Sequence, residues 1–139
     1  MADLTADTAR TYEAGVEPVI NDIIGLASTT FYEGTFCESD GSGLAQPYDG
    51  TGADSFVGIA LRGIVTTASG GERVRVVSQG IVTMAVTGVV STSINAPVYA
   101  ADDGTLTTTA GTMAVGKVHR HVSGTTAQVF FQSDALSNR

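Results

Sequence analysis

His119 and His121 stand two residues apart in Val118-His-Arg-His-Val122. Imidazoles at that spacing on a strand face the same way. Brought together from several copies of the chain, such imidazoles could ring a metal ion or an anion. The plainer reading is a pair of surface or interface hydrogen-bonding residues, because no Cys or carboxylate lies nearby at ligand spacing. Asp102-Asp103-Gly104 offers two carboxylates, but its loop lacks the other oxygen ligands of a calcium loop. A hairpin turn accounts for it, and Asp40 and Asp103 fall in matching turns. Cys37 has no base near it in the chain and reads as a small core residue. Ser91 and Ser93 lack a Gly-x-Ser-x-Gly setting, and no Ser-His-Asp arrangement can be assigned. Ser69-Gly70-Gly71 lacks the Lys-Ser/Thr of a phosphate loop. The sequence therefore predicts no catalytic group, no cofactor and no metal site, and the chain does not read as an enzyme.

The elements that would position these residues are short strands. Phe56–Gly63 alternates, with Val57, Ile59 and Leu61 on one face and Phe56, Gly58, Ala60 and Arg62 on the other. Ala114–Arg120 is a second copy: Val57-Gly58 matches Val115-Gly116, and Arg62 matches Arg120. The chain thus reads as one strand-turn-strand unit used twice. Each half has too few strands to cover its own apolar face, so the halves are expected to pack together.

In order along the chain, residues 1–17 are polar and acidic, with Leu4, Tyr12 and Val16 scattered through them. They read as an arm, either frayed or ordered by a partner. Val19, Ile20, Ile23 and Ile24 have helical spacing within Pro18–Ala27, but the run is short and carries Gly25, so Ile23–Ser28 is expected to be extended, and Phe31–Glu38 to form one strand. Ser39–Gly43 turns, Leu44–Pro47 returns, and Tyr48–Asp54 is a surface loop. Glu72–Val77 places Arg73 and Arg75 outside and Val74 and Val76 inside. Gly80–Thr87 puts Val82, Met84 and Val86 on one face. Between them Ser78-Gln79-Gly80 predicts a bend or bulge, with Gly80 supplying the freedom. Pro97–Ala100, Thr105–Thr109, Met113–Val122 and Thr125–Gln132 follow as strands, with a turn at Ala101–Gly104. Ser133–Arg139 is a polar, mobile tail.

Composition narrows the function. With 139 residues the chain is one domain by prior, and 42% hydrophobic residues suffice for a core. A net charge of −7 argues against nucleic acid and against an anionic membrane surface as partners. A single cysteine excludes an internal disulfide. Met1–Asp7 has neither the basic start nor the apolar run of a signal peptide, and no apolar run nears the ~20 residues of a membrane helix.

Several blocks together carry a resemblance. Ala27-Ser-Thr-Thr-Phe-Tyr-Glu-Gly-Thr-Phe36, Phe56-Val-Gly-Ile-Ala60 and Val74-Arg-Val76 come first. Gly80–Gly88, Pro97–Asp103 and Val115–Ser123 follow in the same order. Over roughly residues 24 to 132 the series resembles tailed-phage capsid decoration, or cement, proteins. The resemblance implies an all-β protein on the outer surface of a viral head, commonly a homotrimer on three-fold sites. It would lock subunits of the major capsid protein against the pressure of packaged DNA. Leu4, Tyr12 and Val16 of the arm become capsid-contact candidates, and His119 and His121 oligomer-interface candidates. The protein would be made in the host cytoplasm, not secreted, and end in the virion.

The expected fold is all-β: a compact antiparallel β-barrel or sandwich, β-tulip-like, built from two similar strand-turn-strand units. Residues 1–17 form an extended N-terminal arm, 18–132 a single all-β domain and 133–139 the tail. The alternative is a carbohydrate- or receptor-binding β-module of a phage fibre or bacterial surface. Aromatics at 6% with no Trp count against it, Tyr48 being the one aromatic in a plainly exposed loop.

Overall fold

Arg73–Thr87 forms one strand, β8, and the rest of the chain is hung on its two edges. The computed structural model describes residues 3–13, 18–51, 55–111 and 113–137. Before β8 come β1 (Thr11–Tyr12), β2 (Val19–Ile24), β3 (Thr30–Phe31), β4 (Phe36–Ser39), β5 (Ala45–Pro47), β6 (Phe56–Ala60) and β7 (Ile64–Val65). After it come β9 (Pro97–Ala100), β10 (Leu106–Thr107), β11 (Ala114–Ser123) and β12 (Thr126–Gln132). The main sheet runs β10-β9-β11-β12-β8-β6-β4-β5, and β3 pairs with β7 separately. Parallel pairing of β10 with β8 closes a barrel of β8, β12, β11, β9 and β10. The all-β barrel expected from the turn spacing is therefore present.

The two units share one connectivity. In the first, β4 pairs with β5 and with β6, and β6 pairs with β8. In the second, β9 pairs with β10 and with β11, and β11 pairs with β12. The last strands of the units, β8 and β12, pair antiparallel. Each unit also carries a bulge at the repeated Val-Gly. Val57 is the extra residue opposite Cys37 and Glu38, and Val115 the extra residue opposite Val98 and Tyr99. The glycine after each bulge lets the next strand come close. A Cβ on Gly58 would lie 2.7 Å from the Val77 carbonyl oxygen, and one on Gly116 would overlap that of Phe130.

The bulge changes the expected faces of the Phe56 strand. Phe56, Ile59 and Leu61 meet one core, whereas Val57 and Ala60 meet another. Simple alternation fails because one inserted residue moves every later side chain to the opposite face. β8 uses the same device. Ser78 is its extra residue opposite β2, so Val74 and Val76 enter the smaller core while Val82 and Val86 enter the larger. Gly80, expected to supply the bulge, instead makes room for Phe131, whose ring would lie 3.2 Å from a Cβ there. The larger core draws on both units, from Phe36, Phe56 and Ile59 to Val118, Val129 and Phe131.

Three other expectations change. Phe31–Glu38 is not one strand: Gly34, at φ 89°, turns the chain between β3 and β4. The extended segment expected at Ile23–Ser28 begins earlier, as β2, and its Asp22 forks onto Arg75 at 3.0 and 3.1 Å across the strand pair. Tyr48, expected in an exposed loop, is only 2% exposed, because its N–H donates to the Phe36 carbonyl and draws the ring into the larger core. Part of that loop, 52–54, lies outside the described residues. The tail is tied where it begins: Ser133 and Asp134 N–H groups donate to the Ser78 and Phe56 carbonyls.

Gly116→Ala and Gly58→Ala should each destabilise the fold by about 2–4 kcal/mol, combining overpacking with backbone strain at Gly58 (φ 148°). Gly41→Ala, also at positive φ but in open space, should cost only about 1 kcal/mol. Urea unfolding of the three variants checks this order.

Candidate functional site

Two surfaces carry the residues singled out in the sequence. The first is the arm. Residues 3–13 lie along the body and are tied to it repeatedly. Leu4 N–H donates to Asp103 Oδ1 at 2.9 Å, and Leu4 sits where a side chain on Gly104 would fall. Thr8 N–H donates to the Glu33 carbonyl, and Glu33 N–H to Asp7 Oδ1, both at 2.8 Å. Arg10 donates from Nε and Nη2 to the Gly34 carbonyl at 3.2 and 2.8 Å, and from Nη2 to the Gly104 carbonyl at 3.3 Å. Its guanidinium also stands 5.3 Å from the centre of the Phe36 ring. Burial pulls the Arg10 pKa down, while Tyr12 and Asp103 push it back up. At Thr11–Tyr12 the arm becomes β1 on the edge of β8.

Of the arm candidates, Leu4 is half-buried and Tyr12 is a β1 residue with its ring 6.2 Å from that of Phe131. Val16 lies outside the described residues. A free arm would leave the β8 edge opposite β12 unpaired at Val82 and Thr83, and β1 covers it. Sequence inspection missed this because a short polar stretch reveals nothing of the edge it will pair with.

The second surface is one end of the barrel. The β11–β12 hairpin and the 88–96 connection meet there through Asn95 N–H to the Val118 carbonyl and Val118 N–H to that of Ala96, both 2.9 Å, and the end of β8 joins the hairpin through Val86 N–H to the Thr125 carbonyl, 2.7 Å. Val90, Ile94 and Val122 on these segments are 55%, 59% and 41% exposed. His119 is the extra residue of a β11 bulge between Val118 and Arg120. The period of two therefore breaks, and the expected common face for His119 and His121 is not formed. His121 pairs with the buried Ala127, and its Nε2 lies 2.9 Å from the Gly124 carbonyl oxygen. A second bulge leaves Val122 without a partner in the register.

Interior polar groups have structural settings. Cys37 is fully buried, and burial raises its thiol pKa far above the ordinary value, the reverse of an activated nucleophile. Glu38 is also fully buried, with Oε1 accepting a 2.8 Å hydrogen bond from Gln46 Nε2. In the turn between β9 and β10, Asp102 rather than Asp103 holds the loop. Its Oδ1 accepts from Gly104 N–H, Thr105 N–H and Thr105 Oγ1 at 2.9, 2.9 and 2.8 Å. Asp40 holds the corresponding β4–β5 turn through Ser42 and Leu44 N–H groups. Asp103 is left to bind the arm.

The chain is thus a closed β-body with a docked arm and apolar side chains displayed on the 88–96 connection and the β11–β12 hairpin. Residues 3–132 match the model of the XM1 gp53 minor capsid protein family, and the chain belongs to that family. It is thus a structural, capsid-associated protein of a phage virion. No curated protein matches the chain.

Arg10→Ala should lower stability by about 1–3 kcal/mol, through carbonyls left without their charged donor, and should speed proteolysis within residues 3–13. Thermal melting and timed digestion with mass readout test both effects. Burial pushes the Tyr12 phenol from 10.0 up to about 12, with Arg10 opposing the rise and Glu33 adding to it. A raised pKa favours the neutral form in the folded state. The associated stability is complete below the unfolded value near 10 and is lost as pH rises toward about 12. Spectroscopic titration should show a late tyrosine signal that Tyr12→Phe removes.

Proposed function

We infer that the protein cements the phage head: it binds the outer capsid surface and clamps neighbouring subunits of the major capsid protein. Membership of a minor capsid family over residues 3–132 carries this reading. The body suits the task. A closed barrel resists deformation, and its apolar exposed side chains at one end offer area to bury in an interface. Cementing needs no reaction chemistry, since its work is done by contacts made across subunit boundaries.

Homotrimer formation on three-fold sites fits the exposure of Val90, Ile94 and Val122, the last of them on the strand that carries His119 and His121. Three linked copies multiply modest capsid contacts through effective concentration. The arm supplies the capsid-facing contacts in this reading, through the exposed parts of Leu4 and Tyr12 and through Val16. Synthesis in the host cytoplasm precedes attachment to the head. The carbohydrate-binding alternative loses its platform, because the ring of Tyr48 is inside the core.

The double variant Val90→Asp, Ile94→Asp should melt as the wild type does yet sediment as a monomer, where the wild type sediments as a trimer. It should also release from purified heads at lower dilution. A wild-type protein that stays monomeric both in ultracentrifugation and on reconstructed particles would remove the trimer. Heads that resist heat equally with and without the protein would remove the cementing role.

A further inference from the structure

Asp3, Asp102 and Asp103 come from opposite ends of the chain, and one carboxylate oxygen of each lies within 4.8 Å of the others. Asp102 and Asp103 are only 6% and 7% exposed, whereas Asp3 is exposed. The turn saturates Asp102 Oδ1 with three donors, but Oδ2 of the same carboxylate is buried without a hydrogen-bond partner. Oδ2 is thus the oxygen this residue has to offer an ion. Asp103 Oδ1 accepts the Leu4 amide, one residue along the arm from Asp3. Arg10 gives its hydrogen bonds to the carbonyls of Gly34 and Gly104 and acts on Asp103 through its charge alone.

Three carboxylates this close repel one another, and a buried oxygen without a donor is costly. Burial, then the neighbouring Asp3 and Asp102, raise the Asp103 pKa against the opposing Leu4 amide and Arg10. The donors are all hard oxygens, which disfavours zinc and copper. Calcium holds oxygens at roughly 2.3–2.6 Å in irregular geometry, so two ligands on opposite sides of it are about 4.8 Å apart. Each pair of the three carboxylate oxygens falls within that distance. Magnesium demands a tighter, near-octahedral set.

We propose that Asp3, Asp102 and Asp103 form a calcium site, completed by water, that fastens the N-terminal arm to the turn between β9 and β10. The Asp102-Asp103 pair alone is too small a ligand set. Asp3 enlarges it only because the docked arm brings it there. The site is independent of the capsid reading, since it requires only the isolated chain.

The test uses the full-length protein freed of metal with chelator and titrated with calcium chloride, followed by calorimetry and thermal melting. Binding should saturate at one ion per chain and raise the melting temperature, because an ion that binds only the folded form stabilises it. It should also slow proteolysis within residues 3–13. Asp3→Asn, at an exposed position, should fold normally in chelator and weaken calcium binding about tenfold or more. Absence of heat and of any melting shift up to about 10 mM, beyond the millimolar end of calcium-site affinities, would overturn the site. A calcium response unchanged in Asp3→Asn would overturn the assignment of Asp3. An equal response to magnesium chloride would overturn the calcium preference.

Discussion

A strand has two edges, and each edge left bare is an open row of hydrogen-bonding groups. β8 meets this constraint over most of its length. Val77 pairs with Ile59 of β6 on one side and Ile20 of β2 on the other. Val82 pairs with Val129 of β12 on one side and Tyr12 of β1 on the other. At its end Val86 and Thr87 take β10. The change of partner from β6 to β12 falls at Ser78, whose Oγ donates to the Val57 carbonyl at 3.1 Å. The bulge there turns one strand into a wall of two cores.

Duplication supplies the material for this arrangement, and asymmetry completes it. Both units carry the same strand pairings, the same bulged Val before Gly, and turns of equal span between Ser39 and Ala45 and between Ala100 and Leu106. The second unit closes directly, β10 onto β8. The first has no such closure. β2 occupies the β8 edge, and Gly25 at its end makes a single parallel bridge to Ala45 of β5. Gly25 has to be small there, since a Cβ would lie 2.8 Å from Val74 and 3.0 Å from Phe31. The N-terminal third of the chain is therefore part of the scaffold as well as a candidate for contact with a partner.

This matters for a capsid protein. A closed barrel with covered edges has few places to open. Covered edges also reduce the chance that copies pair with one another through bare strands. Exposed apolar side chains remain on β2 and β7 as well as on the 88–96 connection and the β11–β12 hairpin, where Val90, Ile94 and Val122 stand.

The sequence by itself determined the β class, the repeated unit and most of the strands from Arg73 onward. β-branched alternation and Asp-Gly or Ser-Gly turns are local signals, readable one segment at a time. It also supplied the blocks that resemble head-associated phage proteins. Only the tertiary structure decided the faces of the Phe56 strand and of His119 and His121, because a single inserted residue reverses a period of two and leaves no mark in composition. It alone placed Tyr48 inside, β1 on β8, and Asp3 beside Asp102 and Asp103. These depend on contacts between residues far apart in the chain, which follow from how the sheet closes and not from any local pattern.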